Sequence, residues 1–186
     1  MNSCLLTIDR FGRLLAAAAM ACLLVLVCDM VYEVVSRRVF SAPTLWAYDI
    51  AYMVNGVAFV FAAGYTLRGE GHIRIDFLSQ RLRRRTQDRI NVAAYVALVI
   101  PAFAFLLVGA FDAWLEAYVS DEVDPASPWR PLLWPFYGGL VLGFAGLILQ
   151  AAAQCVRHAR AAWGTGPSPL LALDPDATPS EETRHG

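Results

Sequence analysis

The sequence predicts an all-α integral membrane protein: four transmembrane helices, with a short interfacial amphipathic helix between the second and third. Three observations predict it. Hydrophobic residues make up 58% of the 186, and charged residues only 17%, against about 25% in soluble domains. Four apolar runs are each long enough for a bilayer core, which needs about 20 residues of helix. The basic residues, all arginine, fall mostly between or beside these runs and mostly on one side of the predicted membrane. Nucleic-acid binding is disfavoured, because these arginines do not line one polar face.

The first helix is expected over about 14–35. Arg10 and Arg13 precede an alanine-rich stretch, which also suits a signal peptide. The apolar run, however, continues well past a signal core, and no small-x-small cleavage site follows it. The helix therefore reads as a retained anchor. Asp29, Glu33 and Arg37 lie four apart and share one face. Glu33 and Arg37 can pair near the outer interface. Asp29 lies about 10 Å deeper than the helix end and must face protein, either as part of a polar seam or as an ion or proton site.

The second helix is expected over about 45–67. Asp49 sits one turn inside the interface, sharing a face with Tyr52 and Gly56, and Arg37 or Arg38 can reach it across the short hairpin. Asn55 falls near the midplane, where its amide can bond across helices. Between the second and third helices, Asp76 is an N-cap candidate. Phe77, Leu78 and Leu82 give the helix expected over about 77–89 an apolar side. Arg81, Arg83, Arg84 and Arg85 would meet lipid phosphates; the alternative is a solvated basic loop that only sets topology.

The third helix is expected over about 90–111, with Pro101 near its centre removing a backbone donor. The fourth, about 132–156, contains Gly139 and Gly143, a GxxxG pair that permits close approach. Together these form a membrane domain over 1–163, followed by a proline-rich tail, 164–186, read as disordered and cytoplasmic.

Four spans put both termini on one side. With them fall Arg10, Arg13, Arg68, Arg74, Arg81, Arg83, Arg84, Arg85, Arg89, Arg157, Arg160 and Arg184; only Arg37, Arg38 and Arg130 fall opposite. The positive-inside rule makes both termini cytoplasmic. The loop after the third helix then faces outward and is acidic, with Glu116, Asp121, Glu122 and Asp124. Trp46, Trp114, Trp129 and Trp134 gather at the outer helix ends as an aromatic belt, with Trp163 inside.

Enzyme chemistry finds no footing here. His72, His158 and His185 sit in loops or at helix ends, and no phosphate-cradling glycine loop or zinc cluster occurs. Cys4, Cys22, Cys28 and Cys155 form no CxxC pair and read as small buried hydrophobes. No catalytic, metal or cofactor site is expected.

Three stretches carry a family resemblance. Arg37-Arg38-Val39-Phe40 is similar to an Arg-Tyr-x-Phe stretch. Trp46-Ala47-Tyr48-Asp49 resembles a Trp-x-x-Glu start to the second helix. Gly71-His72-Ile73-Arg74-Ile75-Asp76-Phe77-Leu78 resembles Gly-His-Ile-Arg-Val-Asp-Leu-Leu and is the most specific of the three. In these patterns the chain resembles the small permease subunit, DctQ-like, of tripartite ATP-independent periplasmic (TRAP) transporters, and the likeness spans about residues 8–160. Asp49 stands where the family has Glu, and Val39 where it has an aromatic residue.

The resemblance implies a bacterial inner-membrane subunit that scaffolds a large permease subunit. A periplasmic substrate-binding protein delivers an organic anion such as a carboxylate, taken up with sodium. Arg37, Arg38, Trp46, Asp49, Asn55, His72, Arg74 and Asp76 would then organise the fold and the subunit contact. Two alternatives stand beside it: a self-sufficient homo-oligomeric transporter using Asp29 and Glu33, and an assembly factor for another membrane complex.

Overall fold

The computed structural model describes residues 2–68 and 84–163. Helix α1 runs Asn2–Val39, α2 Ala47–Arg68, α3 Arg84–Ala94, α4 Ile100–Val119 and α5 Trp134–Ala162. A π-helical turn, Tyr95–Val99, joins α3 to α4 without a break, so the two form one rod. Four spans result, over Thr7–Val39, Ala47–Gly64, Thr86–Val119 and Trp134–Ala162, each long and apolar enough to cross a membrane. Among the described residues there is no strand, only an isolated antiparallel bridge between Val123 and Leu132.

The helices overrun the apolar runs, and the reason is physical. A helix satisfies its own backbone, and leaving the bilayer is no cause to stop. The α1 helix of 38 residues, about 57 Å long at 1.5 Å per residue, starts well before the expected Leu14. It carries Asp9, Arg10 and Arg13 on regular helix. Of the interfacial helix expected at 77–89, residues 77–83 lie outside the described residues, and Arg84–Arg89 open α3 in line with the third span. The tail from 164 also lies outside them.

Pro101 does its work one turn upstream. Its ring would crowd the carbonyl of residue 97, and it offers no N–H. The chain widens there into the π turn, where the Ile100 N–H bonds the Tyr95 carbonyl. Such turns commonly absorb a misfit inside a longer helix.

Helix α5 is the hub: it touches α1, α2, the π turn and both halves of the α3–α4 rod. The rod itself is the opposite case, since its most apolar stretch contains no buried residue. The hydrophobic core is a small cluster of Val60, Leu67, Leu147 and Ala151, flanked by Tyr95, Val99, Ile100 and Phe103. Of the cysteines, Cys22 and Cys155 are half-buried, whereas Cys28 is exposed on α1 and is not the buried hydrophobe expected.

Close approach in the middle of the bundle depends on glycine. A methyl group on Gly139 would lie 2.6 Å from Val57 Cγ2, and one on Gly143 2.6 Å from Val60 Cγ1. At Gly146 it would collide with Leu15 Cδ1. Gly139 and Gly143 thus seat α2, and Gly146 seats α1.

Gly143→Leu is expected to lower stability by about 1–3 kcal/mol through overpacking, read as an earlier midpoint in SDS-driven unfolding. Gly109 faces open space on α4, and Gly109→Ala should hold or raise the midpoint, by up to about 1 kcal/mol. Equal midpoints for the two variants would contradict the α2–α5 seat.

Candidate functional site

Two polar clusters occupy opposite ends of the bundle. The terminal end carries the N-terminus, the end of α2, the start of α3 and the end of α5. The hairpin end carries the α1–α2 and α4–α5 connections.

At the terminal end one face of α5 presents Gln150, Gln154, Arg157 and His158, spaced i, i+4, i+7 and i+8. Each reaches a different part of the molecule or braces a neighbour that does. Arg157 Nη2 donates to both carboxylate oxygens of Asp9 on α1, each at 2.8 Å. Gln150 Nε2 also approaches Asp9 Oδ1, at 3.4 Å. Gln154 Nε2 donates to the Leu67 carbonyl in the last turn of α2 at 3.3 Å, satisfying an acceptor that a helix end leaves orphaned. Its Oε1 accepts from Arg157 Nη1 at 3.2 Å. His158 Nδ1 lies 2.7 Å from Asp88 Oδ1 on α3, with both side chains nearly solvent-free. The His158 ring also stacks on Tyr95 of the π turn, centroids 5.9 Å apart. Four residues on α5 thus clasp α1, α2 and α3 together.

At the hairpin end two carboxylates perform the same task. Glu33 accepts from Arg37 Nε at 3.0 Å, and its other oxygen accepts from the Thr44 backbone N–H at 3.1 Å and from the Thr44 hydroxyl. It closes the α1–α2 hairpin, where Ser41 turns the chain through the left-handed region with φ 52°. Asp49, buried in the first turn of α2, accepts from the Ser127 hydroxyl. Ser127 Oγ in turn accepts from the Trp129 N–H at 3.0 Å. The α4–α5 loop, folded on itself by the bonds Asp124 N–H to Pro131 O and Leu133 N–H to Glu122 O at 3.0 Å, is thereby fastened to α2. Around this end run stacked or edge-on aromatic pairs: Tyr32–Trp46, Trp114–Tyr118 and Tyr118–Trp134.

The residues singled out from sequence divide among these features. Glu33 and Arg37 pair. Asp49 takes Ser127 rather than Arg37 or Arg38, and Arg38 is exposed. The reason is reach: Arg37 is already held one turn away on its own helix, while the folded loop brings a hydroxyl directly onto Asp49. Asp29 is buried on the same helix face, yet neither of its carboxylate oxygens has a hydrogen bond, so it joins no bonded seam. Trp46 stacks on Tyr32. Asn55 is exposed on the outer side of α2 rather than turned toward α1 or α5. His72, Arg74, Asp76, Arg81 and Arg83 lie outside the described residues, and Arg84 and Arg85 begin α3.

Sequence reasoning passed over Asp9, Asp88, Gln150 and Gln154, counted Arg157 only toward topology, and took His158 for a helix-end residue. A signal was present: four polar side chains at helical spacing extending the glycine stripe of α5. Among the described residues no cluster of His, Cys, Asp and Glu is arranged to hold a metal.

Residues 26–161 match the family model described as tripartite ATP-independent periplasmic transporters, DctQ component. The chain belongs to this family. It is the small membrane subunit of a TRAP transporter, a multi-pass protein of a transporter-component family rather than an enzyme family. Comparison with curated proteins and with solved structures returns no match. The match begins inside α1, after Asp9, and ends at the last turn of α5. Most of the terminal clasp and all of the hairpin clasp therefore fall within the family region of this DctQ component.

The Asp88–His158 pair is expected to be strongly coupled. Removing one partner of a buried pair costs about 3–5 kcal/mol, so Asp88→Ala and His158→Ala should each be costly and the double variant much less than their sum. A double-mutant cycle in SDS unfolding measures this, and additive losses would show that the two side chains do not interact.

Proposed function

We propose that this DctQ component is a static brace for the large permease subunit of its transporter. One observation carries the reading. The bonded polar side chains of the bundle interior join its own helices and connecting loops to one another: Asp9 to Arg157, Asp88 to His158, Gln154 to Leu67, Glu33 to Thr44 and Asp49 to Ser127. A transport core instead keeps broken helices and polar groups for its cargo near mid-membrane. Here mid-membrane is glycine against valine.

In this reading the subunit lies in the bacterial inner membrane with both termini, and twelve of its 15 arginines, in the cytoplasm. The hairpin end then faces the periplasm. Its fastened loop, with Asp121, Glu122 and Asp124, offers the periplasmic substrate-binding protein an ordered acidic surface. The large subunit moves the cargo, an organic anion such as a carboxylate, with sodium. Arginines of the α2–α3 connection meet anionic lipid and hold the unit at a set depth.

Co-expression tests the brace. With an affinity tag on this chain, the large subunit should co-purify from detergent in near-equal amount, and a tagged chain recovered alone would refute the reading. The buried, unbonded carboxyl of Asp29 favours one second reading, a self-sufficient transporter coupled through that group. Purified chain alone in liposomes is expected to move no solute. Uptake that disappears in Asp29→Asn would replace the brace with a transporter.

A further inference from the structure

The α2 helix has two unlike sides. One packs into the bundle through Asp49, Gly56, Val57, Val60 and Leu67. The other carries Tyr48, Tyr52, Asn55, Phe59, Ala62 and Thr66, all exposed, with Tyr52 at its edge, where its ring also tilts against Phe136 of α5. Their spacing is 4, 3, 4, 3, 4, the alternation that keeps one seam of a helix facing a partner helix. Tyr48 is 79%, Tyr52 56% and Phe59 75% exposed. The bulky residues occupy the hairpin half, and the small Ala62 and Thr66 the terminal half.

Asn55 decides what covers this seam. It stands nine residues beyond Trp46 and thirteen before Arg68, about 13 Å and 20 Å along the axis, in the middle of the hydrocarbon. An amide there has no water to bond, and no hydrogen bond joins its side chain to the rest of the described chain. Leaving it against lipid costs free energy that a bonded partner recovers. The other exposed faces lack this feature at that depth. On α1 the exposed side is Leu23, Leu24, Val27 and Val31, and on the π turn and α4 it is Leu98, Phe105 and Val108. Exposed Asp112 on α4 lies only two residues from Trp114, within reach of the interface.

We propose that the Tyr48–Thr66 seam of α2 is where the large permease subunit docks: one of its transmembrane helices lies along the seam and bonds the Asn55 amide at mid-depth. The occupant is a different chain because the family is a component of a multipart transporter, and because an apolar lipid face needs no amide. A single Asn in such a seam also fixes register, which suits a brace. The proposal rests on the brace reading and specifies its contact surface. The exposed faces of α1 and α4 are left to lipid.

The test is photo-crosslinking in membranes of cells co-expressing both subunits, with p-benzoylphenylalanine placed singly at Tyr52, Phe59, Val27 or Phe105. Adducts with the large subunit are expected from positions 52 and 59 and not from 27 or 105. In parallel, Asn55→Leu should weaken retention of the large subunit on the tagged chain by roughly three- to tenfold, with Asn55→Gln retaining more. The Asn55 side chain is exposed, so the isolated chain should unfold at an unchanged midpoint in both variants. Three results overturn the proposal while sparing the brace: adducts from 27 or 105 instead, adducts joining two copies of this chain from 52 or 59, and undiminished retention in Asn55→Leu. If the large subunit does not co-purify even with the unaltered chain, the brace reading fails and the seam with it.

Discussion

Lipid offers helices neither hydrogen bonds nor a hydrophobic reason to meet. Everything in this molecule follows from how one face of α5 answers that constraint. In its first and middle turns the face is glycine: Gly139, Gly143 and Gly146 let Val57, Val60 and Leu15 come within contact distance of the α5 backbone. In its last turns the same face becomes Gln150, Gln154, Arg157 and His158, which take Asp9, Leu67 and Asp88 from three other elements. Dispersion holds the helices where water never reaches, and charged bonds hold them where the chain approaches the interface. Neither half suffices alone. Close glycine packing leaves rotation about the axis weakly specified, and a polar clasp without close packing would leave its charges poorly shielded.

The two ends solve one problem with different chemistry because their backbones differ. At the hairpin end the chain reverses within a few residues, so carboxylates bond the reversing segment directly: Glu33 to Thr44, Asp49 to Ser127. Aromatic rings then fill the belt around those turns. The terminal end has long helix overruns instead, and a side chain must reach from one helix to another. Arginine does this well, since its planar fork divides its donors: Nη2 reaches both oxygens of Asp9 at equal distance in a charge-assisted contact, while Nη1 holds Gln154. Asp29 belongs to neither solution. It is buried without a bond, and that sets it apart from every other acid inside the bundle.

The spans, their number and the family motifs were legible because hydropathy and spacing act locally. The Glu33–Arg37 pair was legible for the same reason, being a contact within one helix. Asp49 misled because its partner, Ser127, is 78 positions away in a loop whose fold depends on its own backbone bonds. Asp9 and Asp88 were passed over because both lie outside the apolar runs. Only when α1 is seen to start at Asn2, and α3 to run unbroken into the third span, do those acids fall beside Arg157 and His158. Pro101 was recognised as a disturbance, but its form, a π turn whose Tyr95 stacks on His158, needed the neighbouring helix. Asn55 gave no side from sequence, since periodicity along α2 shows two faces without saying which one meets α5.

The distribution of bonds bears on which part of the transporter can move. If α1 slid against α5, Arg157 would lose Asp9. If the α3–α4 rod swung away, His158 would lose Asp88 inside a dry pocket, where an orphaned partner costs several kcal/mol. If the hairpin end opened, Asp49 and Glu33 would lose their hydroxyl partners together. These losses fall on different helices, so no single rearrangement avoids them all. A mobile element needs two arrangements of similar free energy, and the clasps at both ends of this bundle leave it only one. In the proposed brace, the motion that carries a solute inward occurs in the neighbour, against a surface that stays fixed. The proposed seam, with one amide and graded side-chain size, would hold such a neighbour in a single register.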